Sequence, residues 1–145
     1  REALIEALLD GTLEAIATDH APHSPEEKAD FEKAPNGVVG LETSFAACYT
    51  KLVLERGMSL SRLVELMSVL PARIMNIPGG VLAVGSPADI ALLDLNKVWT
   101  VRGENFFSKG RNTVFEGVSL TGKPVMTLLG GRVVYQDTDR SWGEK

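Results

Sequence analysis

The chain has 145 residues, enough for one domain with a modest core. A hydrophobic share of 44% beside 23% charged residues argues against disorder, and a net charge of −4 gives no basic face for nucleic acid. The longest apolar runs, near Val81–Val84 and Ile90–Leu93, are strand-sized and far short of the roughly 20 residues that span a bilayer.

The first residues lack a signal-peptide pattern and open inside a helical one, so we expect a piece of a longer chain. Leu4, Ile5, Leu8 and Leu9 share a face at helical spacing, and Gly11 stops the helix over 2–10. Residues 12–18, with Leu13, Ala15, Ile16 and Ala17, read as a short buried strand ending at Asp19. That strand needs neighbours this chain does not supply. A long loop over 20–40 follows, punctuated by Pro22, Pro25, Pro35, Gly37 and Gly40, and loops of such length are often functional. Helix is predicted over 41–56, closed by Gly57. Ser59 caps a second helix over 60–70 with Leu60, Leu63, Val64 and Met67 inward, and Pro71 starts a further turn through Ile77.

Beyond Pro78-Gly79-Gly80 the pattern turns to short β runs: 88–94, 97–101, and 123–129 with 132–135 about Gly130-Gly131, a hairpin signal. Residues 137–145 read as a frayed polar tail. Cys48, the lone cysteine, sits in a helical apolar pattern and reads as a core residue. A reducing, cytoplasmic setting fits it.

Asp19 stands where a buried strand runs into a long loop, and a carboxylate there can act as general base, metal ligand or both. A turn or cap role is the plain alternative. His20 and His23, the only histidines, fall within four residues of it, with Pro22 stiffening the link. One Asp and two nearly adjacent His are poor geometry for a complete zinc site, which takes about three protein ligands and an open position. Gly79-Gly80 lacks the strand–loop–helix order of a phosphate cradle and reads as a joining turn. Arg73 and Arg111 read as solvated or structural, and Trp99 and Trp142 lack the basic interleaving of nucleic-acid binders.

Ala17-Thr18-Asp19-His20-Ala21-Pro22-His23 resembles the C-terminal signature of dihydroorotases, in the amidohydrolase superfamily of metal-dependent (β/α)8 barrels. Glu26-Glu27-Lys28, the run Ala34-Pro35-Asn36-Gly37-Val38-Val39-Gly40-Leu41-Glu42-Thr43, Pro71-Ala72-Arg73-Ile74, Gly85-Ser86-Pro87-Ala88-Asp89-Ile90, Phe107-Ser108-Lys109 and Asn112-Thr113 extend the likeness over almost the whole chain. The resemblance implies an α/β chain: residues 1–78 as the last strand–helix part of the barrel, and 79–145 as the C-terminal part of a small β-sandwich domain. It implies reversible cyclisation of N-carbamoyl-L-aspartate to L-dihydroorotate in pyrimidine synthesis. Asp19 would ligate zinc and carry the proton, His23 would bind the substrate carboxylate, and Asn36 and Gly37 would offer backbone groups to the ring. His20 is left structural.

The family's His-x-His pair and later metal histidines have no counterpart here, so the remaining zinc ligands are expected outside this chain, which alone should be inactive. The partners implied are the N-terminal barrel portion, a homodimer mate and aspartate carbamoyltransferase. Two other readings stay open. One is a related cyclic amidase, an allantoinase or hydantoinase. The other is a non-catalytic dihydroorotase-like subunit supporting aspartate carbamoyltransferase.

Overall fold

The computed structural model describes residues 2–137. The polar tail beyond Asp137, and Trp142 with it, lies outside the described residues. Asp137 itself, expected to begin a frayed end, is buried: its N–H donates to Val125 O at 2.9 Å, and its carboxylate lies 3.8 Å from Lys123 Nζ.

Helix α1 (Glu2–Asp10) forms where the apolar spacing places it. Ile5 and Leu8 pack inward, while Leu4 and Leu9 stay exposed. The expected strand over 12–18 does not form. Residues 13–18 run without a ladder or a helix, and Leu13, Ala15 and Ala17 are exposed. The physical reason is the one foreseen: a strand is defined by its neighbours' hydrogen bonds, and no described segment flanks this one.

What holds the segment is a helix. Helix α2 (Ser44–Cys48) continues as a π-helical stretch, Tyr49–Leu54. Helix α3 (Leu60–Val64) likewise passes through π-helical Glu65–Val69 into α4 (Leu70–Ile74). In the wider register Leu70 N–H reaches Glu65 O. The donor due to Leu66 O would then be residue 71, a proline without N–H. Leu66 O accepts instead from Ile16 N–H at 3.0 Å, which ties that segment to the helix.

Ser59 caps α3 as predicted, its side chain accepting from Arg62 N–H at 3.1 Å. The inward face is shifted from the expected one: Leu63 and Leu66 are fully buried, while Val64 is 44% exposed. The first predicted long helix starts at Ser44 rather than Leu41 and ends at Leu54.

The sheet is antiparallel, in the order β1 (Ile90–Thr100), β2 (Ser119–Leu129), β3 (Arg132–Gln136). The two runs expected at 88–94 and 97–101 are one strand with a register shift between Asp94 and Val98. Gly130-Gly131 turns the hairpin as predicted. The Asp89 carboxylate accepts from Gly130 N–H at 2.6 Å, and Ala88 O accepts from Gly131 N–H at 3.0 Å. Val81–Val84 forms no strand, and Leu82 and Val84 face solvent.

Two clusters make the core. Tyr49, Leu52, Met58, Leu63 and Leu66 join the helices, with Cys48 packed against them and its thiol pushed up by burial. Val39, Ala46, Val101, Phe106 and Leu120 join the loop's return arm, α2 and the sheet. This second cluster anchors both loops of the site. Among the described residues no helix is long and apolar enough to cross a membrane.

Candidate active-site loop

Asp19 has φ 46, a left-handed conformation that among non-glycine described residues only Asn76 shares. Asp and Asn tolerate it better than other side-chain-bearing residues. The turn it makes sends the chain from residues 13–18 into the loop and leaves Asp19 exposed.

His20 and Val38 form a parallel bridge, with Ala21 N–H donating to Val38 O at 2.9 Å. His20 Nδ1 accepts from Gly40 N–H at 3.1 Å and Leu41 N–H at 3.4 Å, so in the neutral ring the proton is on Nε2. His20 therefore fastens the two ends of the loop together.

His23 meets the turn predicted to act with it. Its Nε2 lies 3.2 Å from Asn36 O and so is the donor nitrogen, while Nδ1 faces Glu27 Oε2 at 3.7 Å. Gly37 has φ +126, and a Cβ there would stand 2.5 Å from Ala21 Cβ, so only glycine lets the strands of the loop approach this closely. Asp19, His23, Asn36 and Gly37 thus belong to one loop, with the last three in mutual contact or nearly so.

Sequence reasoning missed the residues that hold this loop in shape. Ser24 and Glu27 form a capping box: Ser24 N–H donates to Glu27 Oε2 at 2.8 Å, and Glu27 N–H to Ser24 Oγ at 3.2 Å. The Ser-x-x-Glu spacing was a legible signal for it. The Glu27 carboxyl is held below its usual range, chiefly by the Ser24 backbone N–H, with His23 adding to this against desolvation. Lys28 Nζ donates to Pro35 O and, at 2.8 Å, to Gly37 O.

A late loop, residues 106–113, closes over the other side. The Glu42 carboxylate accepts from Phe107 N–H and Ser108 N–H, both at 3.0 Å. Asn112 Nδ2 donates to Gly37 O at 3.2 Å, and Val39 N–H to Asn112 O at 2.9 Å. Gly110 is buried so close to the signature that a Cβ would meet Pro22 Cβ at 2.9 Å. Arg111, expected to be solvated or structural, donates to the carbonyls of Gly103 and Glu104 and serves the fold. Trp99 Nε1 donates to Gly122 O at 3.1 Å, which accounts for that aromatic as well.

The donor chemistry does not by itself fit a metal ion. Among the described residues no three His, Cys, Asp or Glu side chains converge on one point. Asp19 offers one oxygen donor, His20 is engaged through Nδ1 and His23 through Nε2.

Over residues 1–134 the sequence matches the profile of a known family. The chain belongs to the amidohydrolase family. As an amidohydrolase-family chain it is 50% identical over 138 residues to a dihydroorotase of Bacillus pumilus (strain SAFR-032), and 48% identical over 138 residues to that of Bacillus subtilis (strain 168). Each match covers 94% of this chain and 32% of the relative, so the chain spans about a third of the length of these curated relatives. Among solved structures, a D-hydantoinase (dihydropyrimidinase) from Thermus sp. has TM-score 0.85 at 28% identity, covering 99% of this chain and 32% of that one. An L-hydantoinase (dihydropyrimidinase) from Arthrobacter aurescens has TM-score 0.83 at 38% identity, covering 92% and 31%. The amidohydrolase helices and small antiparallel sheet are thus shared with solved hydantoinases.

Proposed function

We propose that this amidohydrolase chain is the C-terminal portion of a zinc-dependent dihydroorotase, which reversibly closes N-carbamoyl-L-aspartate to L-dihydroorotate. The observation that carries the reading is the meeting of the Asp-His-Ala-Pro-His loop with the Asn36–Gly37 turn, His23 Nε2 lying 3.2 Å from Asn36 O. The half-identity to curated dihydroorotases supports it.

In this reading residues 12–18 are the last strand of a (β/α)8 barrel and take their ladder partners from the rest of the polypeptide. Residues 1–78 end the barrel, and 79–145 contribute to a small β-sandwich domain. Asp19 would offer the zinc one carboxylate, and the other donors would come from outside residues 1–145. On opening its carboxylate would take a proton from the attacking water and pass it to the ring nitrogen, and on closure it would carry the nitrogen's proton to the departing hydroxide, which leaves as water. With Nε2–H on Asn36 O, His23 would bind the substrate's carboxylate through Nδ1 only when that nitrogen also carries a proton. A carboxylate, that of Glu27, already faces that edge at 3.7 Å.

The test is turnover of dihydroorotate, hydantoin and allantoin by the full-length protein with and without zinc. Metal-dependent turnover with dihydroorotate preferred is expected. Preference for hydantoin would move the assignment to a related cyclic amidase, a reading favoured by the likeness to solved hydantoinases. Residues 1–145 alone should turn over none of the three.

A further inference from the structure

Lysine ordinarily keeps its ammonium in water. Lys28 does not: it is half-buried, and among the described residues no carboxylate pairs with it. Its Nζ holds Pro35 O and Gly37 O from one side, while Asn112 Nδ2 holds the Gly37 oxygen from the late loop. A trans peptide is planar, so fixing a carbonyl also fixes the N–H across the bond, on the opposite side. With Pro35 O turned to Lys28, the Asn36 N–H points away from the ammonium. With Gly37 O held, the 37–38 peptide is fixed where Val38 bridges His20, next to Asp19. Asn36 O, between the two clamped carbonyls, is the partner of His23 Nε2. The capping box at Ser24–Glu27 delivers Lys28 to this place, one residue beyond its last member.

We propose that Lys28 is a positioning residue for substrate binding: by clamping Pro35 O and Gly37 O it sets both the Asn36–Gly37 backbone and the ring of His23. This rests on the dihydroorotase reading for its substrate, and on geometry alone for the clamp. The experiment uses Lys28→Met and Lys28→Arg in the full-length protein. In Lys28→Met we expect KM for dihydroorotate to rise about tenfold with kcat within about threefold of wild type, since charge-assisted bonds to two carbonyls are lost. Lys28→Arg, which still donates to two carbonyls, should restore most of the KM. Hydrogen exchange should quicken in Lys28→Met over residues 34–40 and not over Ser44–Leu54.

An unchanged KM in an active Lys28→Met enzyme would overturn the proposal. So would a loss of kcat that tracks lowered Tm and is not rescued by arginine. If the wild-type protein turns over no cyclic amide, the functional reading has failed. The clamp is then decided by exchange alone, and equal protection of 34–40 in both proteins sinks it.

Discussion

Asp19 combines a charge with a left-handed backbone, and substitutions can separate the two. Asparagine keeps the conformation and loses the carboxylate, whereas alanine loses both. Asp19→Asn in the full-length protein should lower kcat by about 10³-fold with little change in Tm, while Asp19→Ala should lower Tm as well. Equal activity in Asp19→Asn and wild type would remove Asp19 from the chemistry. Gly37→Ala forces a Cβ to 2.5 Å from Ala21 Cβ at φ +126. The turn must then shift, costing about 2 kcal/mol by denaturant unfolding and raising KM through His23. The Ser24–Glu27 box gives a pH signature. Because Glu27 is held below its ordinary value, its contribution is complete above about pH 4.3 and is lost as pH falls through the lowered folded value. The Ser24 amide proton shift should titrate with a midpoint under that ordinary value and go flat in Glu27→Gln. A midpoint at or above it would contradict the hydrogen bond.

At the scale of elements, what the sequence showed was what is local. Ser59, the Gly130-Gly131 turn and α1 were legible because cap, turn and periodicity are each written within a few neighbouring residues. Residues 12–18 form no ladder within this chain because a strand depends on partners distant in the sequence, and small apolar residues look the same with or without them. The inward face of the second long helix was misplaced for a different reason. Leu66 follows Leu63 by three residues and shares its face, whereas Val64, next to Leu63, turns to another side of the helix. The two faces make opposite predictions. Leu66→Ala should cost about 2–5 kcal/mol in urea unfolding, and Val64→Ala under about 1. The reverse order would restore the face that places Val64 inward. In the site, the signature residues stood out by type and spacing. Glu42 and Asn112 act on main-chain groups far along the sequence, and Lys28 on carbonyls within its own loop, and such contacts leave no pattern beyond the Ser-x-x-Glu box.

For the whole molecule, the exposed apolar residues matter most. Val81, Leu82, Val84, Val133 and Val134 are all more than half exposed. β1 and β3 are the outer strands of the sheet among the described residues. Exposed edges and apolar surface of this kind favour association. Residues 1–145 in isolation should therefore self-associate with rising concentration in sedimentation velocity, and the full-length protein should suppress this. A monomer at high concentration in both would show that these surfaces need no cover.

The contact of Gly110 with Pro22 has a consequence in time. A ribosome delivers the signature loop early in this stretch and the late loop only after both long helices and β1 have been made. Until Gly110 emerges, the late loop cannot cover Pro22 and His23 from that side, so the binding loop matures after β1 although it is synthesised before it. Nascent chains stalled before Gly110 should expose the 19–40 loop to limited proteolysis, and chains released after Thr113 should shield it.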